Sequence, residues 1–105
     1  MSSMPARFRH VVMFRWSADA TAEAKAALAE TLGRLPSEID AIESYHFGPD
    51  AGLGDDNWDF AVVGDFADEA AYVVYRDHER HRAVVTEQIR PIISARASVQ
   101  YRLDG

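Results

Sequence analysis

Two segments of the chain carry apolar side chains at both odd and even positions. They are RFRHVVMFRW, residues 7–16, and WDFAVVGDF, residues 58–66, and their β-branched and aromatic residues predict strands. Successive side chains of a strand point to opposite faces of the sheet. In the first strand, Phe8, Val12, Phe14 and Trp16 share one face and Val11 and Met13 the other. A sheet of such strands has two apolar faces, and each needs a cover.

The first helix is predicted by apolar residues that recur at helical spacing after the first strand. Its N-cap is expected at Asp19 or Thr21, and Gly33 and Pro36 are expected to end it. The regularly spaced residues are Ala24, Leu28, Leu32 and Leu35.

The remaining segments predict two more strands and a second helical region. Residues 41–48 and 95–103 have strand patterns, and residues 81–89 a helical one. Asp68 is a candidate N-cap for a helix that precedes residue 81. The apolar stripe of that helix is expected to hold Ala71, Val74, Tyr75 and His78.

The order β-α-β-β-α-β predicts an α+β protein with a ferredoxin-like arrangement. Two helices then cover one face of a four-stranded antiparallel sheet, and we expect a second copy to cover the other face in a C2 homodimer. The alternative is a monomer with a modest apolar patch, since Ser98, Gln100 and Arg102 give the last strand one polar face. Residues 7–104 are expected to form one domain, and residues 1–6 a disordered leader.

Composition narrows the classes of partner. The chain has 105 residues, of which 48% are hydrophobic, so one core is expected. Its net charge of −6 disfavours nucleic acid and anionic membrane surfaces as partners, and no apolar run is long enough to span a bilayer. The chain has no cysteine, which excludes disulfides and cysteine-ligated zinc, and we expect a cytoplasmic protein.

The stretch VVYRDHERHRAVV, residues 73–85, holds two histidines that invite a metal interpretation. His78 and His81 are three residues apart, whereas the zinc-protease motif spaces its histidines by four, and no third ligand is suggested. Asp50, Asp55 and Asp56 could offer oxygen ligands in a glycine-rich loop, but their spacing does not require an ion. We therefore predict neither a metal site nor a cofactor.

The histidines also admit structural and catalytic interpretations. His78 can pack in the core, cap a helix end or take part in catalysis. His10 lies among apolar neighbours of the first strand, where burial favours the neutral imidazole. A neutral imidazole can act as a general base, or it can be a hydrogen-bonded core residue.

Four short motifs follow one another between Arg7 and Leu103: RHVVMFRW, the turn FGPD at 47–50, WDFAVVGDF, and the set Tyr75-x-x-His78-x-x-His81. This ordered set resembles the stress-responsive A/B barrel domain family. The resemblance implies a ferredoxin-like protomer, a homodimer whose sheets join in a dimeric α/β barrel, and a cavity between the helices and the sheet.

The resemblance also implies site residues. A polyketide cyclase of this family closes a linear polyketide thioester by an aldol reaction and uses no cofactor. By position, His81 corresponds to its catalytic histidine, Tyr75 to the tyrosine that orients it, and His10 to its first-strand histidine. Where that cyclase has a further pocket tyrosine this chain has Leu32, so the same substrate is not implied. The expected pocket residues are Phe8, Phe14, Leu28, Leu32, Trp58 and His78.

Three functions follow as hypotheses. The first is a pocket for a small apolar or aromatic ligand with a carbonyl group, with cofactor-free acid–base chemistry at His81. For this, the helix must break near Arg80 so that the His81 ring turns inward. The second is a non-catalytic, stress-related structural dimer in which the histidines pack and cap. The third is a cofactor-free monooxygenase that uses Trp16 or Trp58 near a quinol-like substrate.

Overall fold

The computed structural model describes residues 7–103. The leader expected at residues 1–6 lies outside the described residues. Residues 7–103 form four strands, three helices and two short helical turns. In order they are β1 (Arg7–Trp16), α1 (Ala22–Glu38), β2 (Ile42–Pro49), β3 (Phe60–Phe66), α2 (Glu69–Asp77), α3 (Glu79–Val84), a π-helical turn (Val85–Ile89), a 3-10 turn (Arg90–Ile92) and β4 (Ile93–Leu103).

The four strands form one antiparallel sheet in the order β2-β3-β1-β4, which confirms the ferredoxin-like prediction. Val11 of β1 lies opposite Val63 of β3 and Val99 of β4. Directly opposed residues project to the same side, so the register defines an inner face, covered by the helices, and an outer face without a cover.

The prediction that Gly33 and Pro36 end α1 is wrong. The helix starts at the predicted cap, where the Thr21 hydroxyl accepts from the Ala24 N–H, but it continues to Glu38. Pro36 lies in the last turn, where its missing N–H removes only one backbone bond. The Ile39 N–H still donates to the Leu35 carbonyl at 2.8 Å, so the final turn persists.

The second helical region breaks at His78. Asp68 caps the start of α2 by accepting from the Ala71 N–H, as predicted. His78 has an extended ψ of 135°, and its Nδ1 accepts from the Arg80 N–H at 3.0 Å, so it is the N-cap of α3. The break that His81 requires therefore lies two residues before Arg80.

Val74 is not on the buried stripe of α2, and its placement there is a wrong prediction. Its side chain is 55% exposed. Tyr72 is partly buried in its place and contacts the rings of Phe8 and Phe66, with centroid distances of 5.4 and 5.6 Å. The break at His78 leaves α2 only nine residues long, and its buried side is carried by the two tyrosines, Tyr72 and Tyr75.

A π-helical turn follows α3. In it the Arg90 N–H donates to the carbonyl of Val85, five residues back. Such a turn holds one more residue than a regular helical turn. It leads directly into the 3-10 turn and β4.

The core lies between the inner face and the helices. Most of its buried apolar residues come from β1, β3, the three helices and the π-helical turn. They include Phe8, Val12, Phe14, Leu28, Leu32, Leu35, Phe60, Val62, Phe66, Tyr75, Val84 and Ile89.

The outer face has an apolar centre beside the Arg9–Asp65 ion pair, and β4 contributes to this centre more than its sequence indicated. Ser98, Gln100 and Arg102 lie opposite Val12, His10 and Phe8, so the polar side of β4 faces the helices. Its other side turns Val99 and Tyr101 outward, and these are 56% and 44% exposed.

Candidate functional site

A cavity of about 250 Å³ lies between the inner face and the helices. The sheet, α1, α2, α3 and the turns after α3 all contribute to its wall. The lining residues are His10, Val12, Phe14, Leu32, Tyr45, Val62, Tyr75, His81, Val84, Val85, Ile89, Arg90, Ile93 and Arg96.

His81 enters this cavity from the first turns of α3. Its Nδ1 lies 3.0 Å from the carbonyl of Arg76, in the last turn of α2. A carbonyl oxygen only accepts, so Nδ1 carries the proton and Nε2 keeps a lone pair. Burial lowers the pKa of His81 below its usual value, so the ring is neutral at neutral pH. The arrangement leaves one imidazole nitrogen able to accept a proton.

His10 has the opposite tautomer. It is 4% exposed, and Gln100 Nε2 donates to its Nδ1 at 2.8 Å. Because an amide nitrogen only donates, the proton of His10 sits on Nε2. Burial, with a smaller effect from the positive charge of Arg96, lowers the pKa of His10 to about 4. The cavity thus has one imidazole that accepts and another that donates.

Tyr75 joins the site to the sheet. Its ring lies 4.2 Å from the His81 ring and 6.1 Å from the His10 ring, measured between centroids. Its hydroxyl is 2.7 Å from the hydroxyl of Tyr45 on β2. Burial raises the pKa of Tyr75 and raises the pKa of Tyr45 to about 12, so both remain protonated phenols at neutral pH.

The structure brings together His10, Tyr75 and His81, and it places Phe14 and Leu32 on the cavity wall with them. It does not bring the other expected pocket residues there. Phe8 packs against Tyr72, and Leu28 is fully buried in the core.

His78 and Trp58 also lie away from the cavity wall, each for a different reason. The His78 ring is turned to its own backbone as the cap of α3. Trp58 precedes β3, which starts only at Phe60, so strand alternation does not apply to it. Its ring lies 4.5 Å from the guanidinium carbon of Arg15, a residue of the outer face.

Sequence analysis missed four polar residues of the site. Tyr45 lies on the inner face of β2, where its alternation with Phe47 was a usable signal. Gln100 and Arg96 belong to the polar side of β4, and the sequence did not show that this side faces the helices. Arg90 follows the π-helical turn, for which the sequence holds no evident signal.

Within residues 7–103, no three His, Cys, Asp or Glu side chains are grouped to hold a metal ion. No helix in that range is long and apolar enough to cross a membrane.

Comparison with known proteins decides the family. A family model described as the stress responsive A/B barrel domain (Dabb) matches residues 8–103. The chain belongs to this family. No protein of curated function matches it in sequence.

Solved structures similar to this Dabb chain agree with its fold. A dimeric ferredoxin-like protein of unknown function from Thermobifida fusca is 35% identical, with a TM-score of 0.87 over 98% of this chain and 96% of that chain. A Dabb family protein from Mesorhizobium loti is 23% identical, with a TM-score of 0.79 over 95% and 99%. A hydroxynitrile lyase from Passiflora edulis is 16% identical, with a TM-score of 0.85 over 95% of each chain.

Proposed function

We propose that this Dabb protein is a homodimer whose cavity binds a small, largely apolar or aromatic carbonyl compound and moves a proton on it without a cofactor. The single observation that carries the proposal is the hydrogen bond from His81 Nδ1 to the Arg76 carbonyl, which leaves Nε2 unprotonated on a ring that lines the cavity.

His81 is the general base in this proposal. A carbon between two carbonyl groups is acidic enough for an imidazole of ordinary basicity to remove its proton. The proton passes to His81 Nε2. The electron pair of the broken C–H bond moves to a carbonyl oxygen of the ligand, so the ligand becomes an enolate. His81 then returns the proton to the product. The ring contact with Tyr75 holds the imidazole in position.

His10 stabilises the enolate. Its Nε2–H is the donor left free by the Gln100 bond, and a donor fixed before the reaction stabilises a developing oxyanion without reorganising. The surrounding wall is apolar at Val12, Leu32 and Val62, which excludes water and strengthens the hydrogen bonds inside. The Passiflora edulis enzyme is a lyase of this fold, but at 16% identity that likeness concerns the fold alone.

The dimer is supported by the outer face. Val11, Met13 and Val63 lie at its centre and Val99 and Tyr101 at its β4 side, and burial of this surface by a second copy is favourable. The Thermobifida fusca relative, 35% identical, is described as dimeric. The cytoplasmic location and the single domain over residues 7–104 remain predictions.

A non-catalytic dimer is the second candidate, and one observation favours it. The same bond from His81 to the Arg76 carbonyl ties α3 to α2, and His78 caps α3, so both histidines also have structural roles. A monooxygenase has less support, because Trp16 packs on Phe60 and Trp58 on Arg15, and neither lines the cavity with the histidines.

His81→Asn separates the two candidates. The Asn Nδ2 can replace the bond to the Arg76 carbonyl, but it supplies no base. NMR measures how fast the C–H hydrogens between the two carbonyls of benzoylacetone exchange for deuterium, and the rate with protein is compared with the rate in buffer alone. We expect the wild type to accelerate this exchange. The His81→Asn variant should lose the acceleration and keep the melting temperature of the wild type.

The matched control is His78→Asn, which removes the other histidine of the region and keeps a good N-cap. It should exchange the probe like the wild type. If the wild type neither binds the diketone nor accelerates its exchange, the pocket function is wrong and the structural candidate stands.

A further inference from the structure

We infer that the ligand of this cavity carries an anionic oxygen group, a carboxylate in the simplest case, and that Arg90 and Arg96 bind it at the cavity rim. The inference rests on the proposed pocket function and specifies its ligand class. The ligand would be an apolar or aromatic carbonyl compound with its acidic end at the rim and its body against the histidines.

The charge of the cavity is opposite to that of the chain. The sequence holds 17 acidic and 11 basic residues. The cavity wall nevertheless includes two arginines and, among residues 7–103, no carboxylate. Both arginines are exposed, whereas most other lining residues are buried or half-buried, so the two cations lie at the rim. Two cations at the rim favour an anionic ligand over a neutral one.

The two arginines are also available. Other arginines of the chain hold acidic partners: Arg9 binds Asp65, Arg80 binds Glu38 and Arg102 binds Glu69. Within residues 7–103, neither Arg90 nor Arg96 forms a salt bridge. A guanidinium presents parallel N–H donors that match a carboxylate, so an incoming anion would meet two unused donor groups.

The two cations converge from separate elements. Arg96 projects from β4, where it lies opposite Phe14 on the inner face. Arg90 opens the 3-10 turn after the π-helical turn. A second groove shares His81, Val85 and Arg90 with the wall of the cavity and so adjoins it on this side. An anion held between the two elements would close the rim over the ligand body.

Arg96 is close enough to His10 and His81 to change their pKa values. After burial, its positive charge contributes to lowering the pKa of both His10 and His81. A ligand carboxylate at Arg96 would offset this charge and raise the pKa values of His10 and His81. His81 would therefore be a stronger base when the ligand is present than when it is absent.

A matched pair of probes tests the inference. The probes are 2-naphthoate and the neutral 2-acetonaphthone, which share a bicyclic frame and differ in charge. Their dissociation constants are measured by titration calorimetry at low salt. We expect 2-naphthoate to bind about tenfold more tightly, as befits charge-assisted hydrogen bonds at an exposed rim. Added salt should weaken its binding and leave that of the ketone unchanged.

The variants Arg90→Gln and Arg96→Gln should each remove most of this preference. The control is Arg102→Gln, which deletes the same charge from the same side of β4 but away from the cavity. It should retain the preference. Equal binding of both probes, or an equal loss in the control, overturns the anion inference and leaves the pocket intact. Failure of both probes to bind overturns the pocket and the inference with it.

Discussion

The hydroxyl groups of Tyr45 and Tyr75 lie 2.7 Å apart and join β2 to α2 directly beside the His81 ring. Tyr75 is 2% exposed, so its hydroxyl has little access to water as a substitute partner. The position of His81, the candidate base, therefore depends on Tyr75. Tyr75 is in turn held by Tyr45, which lies on the sheet side of the core.

The Tyr45→Phe variant should lower the free energy of unfolding by about 1–2 kcal/mol, because it leaves the Tyr75 hydroxyl buried without a partner. Tyr75→Phe should have a similar effect. In the double variant neither hydroxyl is stranded, so the loss should be smaller than the sum of the single losses. Urea unfolding of the four proteins measures this cycle, and strict additivity would contradict the coupling.

Stability should fall in mild acid because of His10. Burial lowers its pKa to about 4, compared with 6.5 for an exposed histidine. Between these values the unfolded chain binds a proton that the folded chain does not, so the folded state has its full advantage above about pH 6.5 and loses it as the pH falls towards 4. The loss is on the order of 3 kcal/mol, and His81, whose pKa burial also lowers, adds to it.

Urea midpoints between pH 7.5 and 4 give this dependence. His10→Gln should flatten the curve, whereas His46→Gln, at an exposed position of β2, should not. A wild-type midpoint that stays constant down to pH 4.5 would show that His10 is protonated without penalty.

Val99 and Val74 provide a matched test of the outer face. The two valines are 56% and 55% exposed, but Val99 lies on the outer face and Val74 on α2. Val99→Asp would bury a charge in the proposed interface and should weaken dimerisation at least about a hundredfold. Val74→Asp should leave it unchanged. Sedimentation over a range of concentrations measures both, and a wild type that stays monomeric at every concentration refutes the dimer.

Gly64 should not tolerate a methyl group. It lies on β3 opposite His10 and Tyr45, and an added Cβ would lie 3.2 Å from ring carbons of Tyr45 and Phe66. Gly64→Ala should destabilise the fold by about 1–3 kcal/mol and displace the Tyr45 hydroxyl. Gly48→Ala is the control, because a Cβ there meets nothing within 4 Å. Equal thermal midpoints for the two variants would be the contrary result.

The sequence was sufficient for the fold because strand alternation is a local signal. The prediction for β1 matches Arg7–Trp16, and its alternation separated His10 from Val11 as the register does. Capping by His78 was one of the interpretations that the sequence allowed, but the helix break had been expected near Arg80 and the structure has it at His78.

The site was harder to predict because it is assembled by register between distant strands. Gln100 lies opposite His10 across 90 residues of chain, and no local pattern reports that pairing. Arg96 was missed for the same reason. Trp58 was expected on the wall and within the strand of residues 58–66, but it lies two residues before Phe60, where β3 begins.

The π-helical turn at Val85–Ile89 sets the direction in which Arg90 leaves the helix, whereas the position of β4 is set by its pairing with β1. Each residue of a regular helix advances its side chains by about 100°, so deleting one residue from this turn would swing Arg90 a quarter-circle or more around the axis. His10, Tyr75 and His81 precede the turn and would keep their places. A one-residue length change here would therefore alter the polarity of the entrance without touching the imidazoles.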